Sequence, residues 1–65
     1  MISIIIPIYN SEKSIFLLVE NIMNVFKDLK FEVNMINDGS NIATHNECMK
    51  VIHKYPKITN YIKLR

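Results

Sequence analysis

The sequence predicts an α/β fold, a βαβαβ arrangement built on a three-stranded parallel sheet. Two apolar runs rich in β-branched residues are each followed by a segment with helical spacing, and a third apolar run closes the chain. The links between these segments are short, as in compact α/β units. Strands joined in this way pair in parallel through right-handed crossovers, so we expect one small sheet with a helix on each crossover.

The first predicted strand is Ile2–Ile8, which is nearly all β-branched and shows no polar alternation. This pattern is typical of a strand that is buried on both faces. A buried helix is the alternative interpretation. The run is short and contains Pro7 near its end, and these two features favour the strand.

The first predicted helix follows a turn in which Asn10 or Ser11 can act as the N-cap, with Glu12 in the first turn. We expect this helix to continue to about Asp28. Its apolar residues recur at helical spacing and predict one buried stripe. The residues of that stripe are Ile15, Leu18, Val19, Ile22, Phe26 and Leu29.

The remaining elements are a second strand over residues 31–36, a second helix over 43–54 and a third strand over 61–64. Gly39, the sole glycine, gives the turn after the second strand its backbone freedom. The second helix is expected to face inward through three apolar residues. These residues are Met49 and Ile52, with Ile42, just before the predicted range, as a further candidate.

Composition excludes several classes of function. The chain has 65 residues and a net charge of +2, with basic residues scattered along it, so no nucleic-acid surface is expected. The apolar run that Pro7 interrupts is too short for a membrane span. Cys48 is the only cysteine, which rules out an internal disulfide and fits a cytoplasmic protein.

Polar and aromatic residues follow the first two strands, at the sheet edge where parallel α/β proteins bind ligands. Tyr9 and Asp38 would flank one crevice, because neighbouring strands lie about 4.8 Å apart. An aromatic ring can stack on a base, and a carboxylate can accept hydrogen bonds from a base or a ribose. The alternatives are that Tyr9 closes the end of the sheet and that Asp38 is an ordinary turn residue.

Two segments in this order carry a family resemblance: residues 2–10, ISIIIPIYN, and residues 31–33, FEV, leading into Asp38-Gly39-Ser40. Together they resemble the opening of family 2 glycosyltransferases, which have the Rossmann-like GT-A fold. The resemblance covers residues 1–65, which we therefore interpret as a truncated N-terminal nucleotide-sugar-binding part of such a domain. Residues 61–64 resemble the third strand of polyisoprenyl-phosphate glycosyltransferases.

The resemblance implies a UDP- or GDP-linked sugar donor, with Mg²⁺ or Mn²⁺ in the full-length enzymes. It implies transfer to a lipid or glycan acceptor, as in polysaccharide biosynthesis, at the cytoplasmic face of a membrane. It also implies a set of donor-binding residues in the two turns. These are Pro7, Tyr9, Asn10, Glu12, Asp38, Gly39 and Ser40.

The chain departs from the family pattern at three positions. Asn37 stands where the family usually has the first acid of its Asp-Asp-Gly-Ser turn, so one charge is lost. Ser11 stands where many members have Glu. Asn34 places an amide in a strand that the family keeps apolar, and such a group costs about 1–3 kcal/mol if it is buried without a partner.

Catalytic residues are expected to be absent from this segment. The family's Asp-x-Asp motif, which holds the metal, does not occur, and Glu47 is the only acid after Ser40. Without a metal or a base the diphosphate is not stabilised and the acceptor is not activated. We therefore expect no sugar transfer by this chain alone.

A non-catalytic interaction module is the second hypothesis. The family's strand order leaves the first strand, Ile2–Ile8, at an open edge of the predicted sheet. Such an edge is a template for pairing with another chain, which predicts a homo-oligomer.

Two other interpretations are weaker. His45, Cys48 and His53 suggest a metal site, but a fourth ligand is missing and no zinc spacing is met. Half of a flavodoxin-like receiver would show a glycine-rich first turn or paired acids after the first strand, and this chain has neither.

Overall fold

The computed structural model describes residues 1–9, 14–39 and 41–64. Its elements are β1 (Ile2–Ile8), α1 (Ile15–Val25), β2 (Phe31–Asn37), α2 (Ile42–Lys54) and β3 (Thr59–Lys63). All pairing is parallel and the strand order is β1-β2-β3. The predicted α/β fold with a three-stranded parallel sheet is confirmed.

The hydrophobic core lies on one face of the sheet. Val33 and Met35 of β2 are fully buried, and they pair in register with Ile4 and Ile6 of β1. Both helices pack against this face, because their buried side chains belong to the same cluster. The helical members of the cluster are Ile15, Val19, Cys48 and Val51.

The opposite face of the sheet, which we call the uncovered face, carries no helix within the described part of the chain. It includes Ile5, which is 64% exposed, and Ile62 at the far edge, which is 48% exposed. The prediction that β1 is buried on both faces was therefore wrong. Two successive crossovers of the same hand place both helices on the same side, so β1 packs through alternate residues only.

Helix α1 is shorter than predicted at both ends. It begins at Ile15 with Ser14 as N-cap, and Ser14 makes no side-chain capping hydrogen bond. Phe26 is the C-cap, so the helix ends before Asp28. The predicted caps and first turn, at residues 10–12, lie outside the described residues.

The buried stripe of α1 is rotated relative to the predicted one. Ile15 and Val19 are buried as expected, whereas Leu18 and Leu29 are exposed. Phe16 and Met23 pack against the core instead, together with the predicted Ile22, while the half-buried Phe26 contacts the ring of Phe31. Helix α1 contacts α2 as well as the core cluster on the sheet, so its buried stripe is shared between the two.

Helix α2 begins at Ile42 and faces the core with smaller residues than predicted. Thr44, Cys48 and Val51 are fully buried and occupy one stripe at positions i, i+4 and i+7. Of the predicted inward residues, Ile52 is half-buried and packs against the core as expected, Met49 is half-buried, and Ile42 is exposed. Small side chains at buried positions allow a helix axis to approach a sheet closely. A prediction based on hydrophobicity alone does not take side-chain size into account.

The two remaining strands differ slightly from the predicted ranges, and β3 ends at Lys63, one residue earlier than expected. β2 continues to Asn37, and β3 begins at Thr59, two residues earlier than expected. Asn34 lies on the uncovered face, half-buried, and its Oδ1 accepts a hydrogen bond of 3.0 Å from Nδ2 of Asn60. The penalty expected for a buried amide without a partner is therefore not incurred. None of the helices described is long and apolar enough to cross a membrane.

Candidate functional site

A cavity of about 570 Å³ opens where the three strands end, on the side of Pro7 and Ile36. These two residues are partners in the β1–β2 register. The cavity is completed by residues from the ends of all three strands. Its other lining residues are Ile8, Tyr9, Asp38 and Leu64.

Three of the predicted site residues are brought together here. Pro7, Tyr9 and Asp38 line the same cavity, as the neighbouring strand ends predicted. Gly39 follows Asp38 with a φ of 78°, a conformation that glycine adopts without steric cost and that turns the chain away from the sheet. The other predicted site residues, Asn10, Glu12 and Ser40, lie outside the described residues.

The lining of the cavity combines an apolar floor with two polar groups. Pro7, Ile36 and Leu64 supply apolar surface, while the Tyr9 side chain is 71% exposed beside the exposed Asp38 carboxylate. Such a lining suits a flat ring that offers hydrogen-bond donors at one edge. The sequence interpretation missed Ile36 and Leu64, although their places at the strand ends follow from the parallel register.

A partly buried hydrogen-bond network lies on the helix side of the same strand end, next to Asp38. Asn37 is 0% exposed, and its Nδ2 donates to the Tyr61 hydroxyl at 2.8 Å. The Tyr61 oxygen lies 2.7 Å from Nδ1 of His45 on α2. Burial raises the pKa of Tyr61 above its ordinary value, and the hydrogen bond from Asn37 opposes this rise.

The sequence interpretation treated these residues separately and missed the network. The family pattern shows Asn37 only as the replacement of an acid, and the sequence suggests His45 only as part of a weak metal site. The available signal was the strand pairing: Tyr61 pairs with Met35, so it lies diagonally from Asn37 and on the same face. A long side chain reaches such a diagonal neighbour.

Metal-ligating groups do not cluster in the described ranges, where no three of His, Cys, Asp and Glu come together. Asp38 is the one acid among the residues that line the cavity, so these residues alone do not fit a divalent cation. Cys48 is fully buried. Burial raises the pKa of its thiol to about 11, with a smaller contribution from the negative charge of Glu47.

A second, more apolar cavity of about 480 Å³ lies at the opposite end of the sheet, lined in part by Met23, Leu29 and Phe31. It opens at the amino ends of the strands, away from the side on which open α/β sheets bind ligands. Nearby, the Glu20 carboxylate accepts hydrogen bonds from Lys54 and the Tyr55 hydroxyl, which tie α1 to the end of α2. These contacts hold α1 against the end of α2.

Comparison with known proteins gives one result that bears on identity. Residues 3–64 match the family described as Glycosyl transferase family 2. Curated proteins and solved structures give no significant match. The family match covers nearly the whole chain and includes both strand ends that form the cavity, so this chain belongs to glycosyl transferase family 2.

Proposed function

We propose that the cavity at the strand ends binds the base and ribose of a UDP- or GDP-linked sugar. Membership of the family indicates a role in glycosyl transfer and a nucleotide-sugar donor. The observation that carries the proposal is that Tyr9 and Asp38 line one cavity at the carboxyl ends of β1 and β2. An exposed ring beside a carboxylate offers a stacking surface and a hydrogen-bond acceptor for a nucleotide.

Each residue has a distinct role in this proposal. The Tyr9 ring stacks on the base, the Asp38 carboxylate accepts from a base N–H or a ribose hydroxyl, and Pro7 shapes the wall. Gly39 lets the chain turn so that Asp38 stands at the rim. By family resemblance the site also includes the turn residues that flank these groups. They are Asn10, Glu12 and Ser40.

The proposal separates donor binding from catalysis. The described residues offer no cluster of metal ligands, and we propose that this chain alone does not transfer sugar. In the complete site Mg²⁺ or Mn²⁺ would stabilise the leaving diphosphate. The resemblance of residues 61–64 to polyisoprenyl-phosphate glycosyltransferases supports a lipid acceptor at the cytoplasmic face of a membrane.

The test is a titration of the chain with UDP and with GDP, each with and without Mn²⁺, followed by backbone amide shifts in NMR. We expect the largest shifts at Tyr9 and Asp38. The variant Asp38→Asn should weaken binding about tenfold, because a charged acceptor is lost. Asp28→Asn makes the same change in the loop after α1 and should leave binding unchanged.

The outcomes separate the alternatives. Shifts confined to the strand ends, together with weaker binding in Asp38→Asn only, support the donor site. A well-dispersed spectrum without shifts would mean that the described cavity is not a nucleotide site. Equal weakening in both variants would point to a general charge effect and contradict a specific role for Asp38.

A second candidate function is self-association through β1. The observation that favours it is that β1 is an edge strand whose Ile2 and Ile5 are 42% and 64% exposed. Such an edge can pair with another copy unless charge or a covering element prevents it. Sedimentation should show a dimer or larger species that Ile5→Lys shifts to monomer. Val25→Lys, a change on α1 at a position that is 75% exposed, should have no effect.

A further inference from the structure

The side chains of Asn37, Tyr61 and His45 form a chain of hydrogen bonds that joins β2, β3 and α2 at the carboxyl end of β2. Asn37 is the last residue of β2, Tyr61 lies on β3 and His45 lies in the first turn of α2. The two contacts measure 2.8 and 2.7 Å, and the rings of His45 and Tyr61 stand 5.4 Å apart. The network is therefore closely packed.

One arrangement of hydrogens links the three side chains in a chain. The Tyr61 hydroxyl has one proton, and its oxygen accepts from the amide of Asn37. That proton can be directed at Nδ1 of His45, which lies 2.7 Å from the Tyr61 oxygen and then accepts it. A histidine that accepts at Nδ1 carries its proton on Nε2. The opposite direction, in which Nδ1–H donates to the Tyr61 oxygen, requires the other tautomer, so the tautomer of His45 reports the direction of the chain.

Asn37 is also held through its backbone. Its carbonyl oxygen accepts a hydrogen bond of 2.9 Å from the N–H of Leu64, just beyond β3. Asn37 is thus attached to β3 by its side chain and by its main chain. The next residue is Asp38, and the one after it is Gly39, where the chain turns. Asp38 stands between a fixed residue and a turn, at the rim of the cavity.

We propose that Asn37, Tyr61 and the Nε2–H tautomer of His45 act as a positioning network that holds Asp38 in place at the candidate nucleotide site. This inference rests on the proposed function, since it assigns Asp38 the contact with the nucleotide. The network gives the amide at position 37 a role of its own. It directs the Tyr61 proton to His45, whereas a carboxylate there would draw that proton to itself.

The test compares Tyr61→Phe with Tyr55→Phe, which removes a hydroxyl that binds Glu20 near the other end of the sheet. Without nucleotide, ¹⁵N shifts should show the Nε2–H tautomer of His45 in the wild type and in Tyr55→Phe. In Tyr61→Phe the tautomer preference should be lost and the Asp38 amide should exchange faster with solvent. Unchanged exchange at Asp38 in Tyr61→Phe would overturn the proposal.

A titration with UDP provides the functional readout. Tyr61→Phe should weaken binding about fivefold, the effect expected for one hydrogen bond, and Tyr55→Phe should not weaken it. If the wild type does not bind UDP or GDP, the proposed function fails while the Asp38 exchange rates still decide whether the network positions that residue. If UDP binds equally well to both variants, the nucleotide site stands and the positioning role is refuted.

A second pair of variants covers the case in which Tyr61→Phe does not fold. His45→Gln keeps an oxygen that can accept the Tyr61 proton, whereas His45→Leu removes the acceptor. We expect Asp38 exchange to stay near the wild-type rate in His45→Gln and to rise in His45→Leu. Equal exchange in the two variants would overturn the proposal.

Discussion

Asn41 caps helix α2 by accepting a hydrogen bond of 2.9 Å from the backbone N–H of Thr44 at its Oδ1 atom. The contact satisfies one of the N–H groups that the first turn of a helix leaves without an intrahelical partner. It also fixes the start of the helix next to the buried Thr44 side chain. The cap therefore sets where α2 begins and how its first turn meets the core.

We expect Asn41→Ala to lower the free energy of unfolding by about 1 kcal/mol, the usual cost of losing an N-cap. Asn46→Ala is the matched control, because Asn46 is an exposed residue inside the same helix. There alanine should be neutral or slightly stabilising. Urea unfolding followed by circular dichroism measures both. Equal stability of the two variants would contradict a capping role for Asn41.

Removing two methyl groups from the core should cost far more than removing them from the surface. Val51 on α2 is fully buried, and Val25 at the end of α1 is 75% exposed. We expect Val51→Ala to lower the free energy of unfolding by about 2 kcal/mol, from lost burial and the cavity left behind. Val25→Ala should change it by less than about 0.5 kcal/mol. Similar losses would mean that α2 does not pack as described.

Cys48 should be unreactive in the folded chain. Burial raises the pKa of its thiol to about 11, so almost no thiolate is present at pH 8. Iodoacetamide should modify the native chain slowly and the urea-unfolded chain quickly, as mass spectrometry can follow. Rapid modification of the native chain would show that the thiol is accessible.

The same shift predicts how Cys48 affects stability at high pH. The thiol has a pKa of 9.0 in the unfolded chain and about 11 in the folded chain. Between these two values the unfolded state therefore binds fewer protons than the folded state. Stability should therefore fall as the pH rises from about 9 towards 11. Cys48→Ala should remove this part of the pH dependence, although it also lowers stability at every pH.

The family usually has Asp at the position of Asn37. The variant Asn37→Asp tests how much the amide at this position contributes to the stability of the fold. Asn37 is fully buried, so Asn37→Asp would place a carboxylate where ionisation is costly. We expect a loss of about 1–3 kcal/mol at pH 7. The loss should shrink at acidic pH, where the carboxyl group is protonated in both states.

Asp38→Asn is the control for this comparison, because Asp38 is exposed and its replacement should change stability little. Urea unfolding at pH 7 and at pH 4 measures both variants. An Asn37→Asp variant as stable as the wild type at both pH values would mean that the folded chain accommodates the charge. The preference for an amide at this position would then have another cause.

The order of elements and the approach of Tyr9 to Asp38 could be predicted because both depend on local patterns and on the geometry of neighbouring parallel strands. The apolar runs predicted the strands, and parallel pairing brought the two turns together. Pattern alone misplaced the burial of β1, since a run such as Ile4 to Ile6 looks the same whether one face or both are covered. Whether a face of β1 is buried depends on the side of the sheet on which the helices pack.

The faces of the helices and the network around Asn37 could not be predicted in the same way. Leu18 is a strong apolar residue, yet it is exposed, while Thr44 and Cys48 are buried because small side chains let α2 approach the sheet. The contact between Asn37 and Tyr61 depends on the register of β2 and β3, which no single segment contains. The buried faces of the helices and the Asn37–Tyr61 contact both depend on contacts between segments that are far apart in the sequence.

The coverage of one sheet face only has a consequence for how substitutions are tolerated. Along β1 and β2, every second residue, such as Ile4, Val33 or Met35, is fixed by contacts with the helices. The alternate positions, such as Ser3 and Ile5, meet far fewer neighbours. A scan of all single substitutions should therefore show tolerance that alternates with a period of two along the strands. The intolerant positions would identify the face of the sheet against which the helices pack.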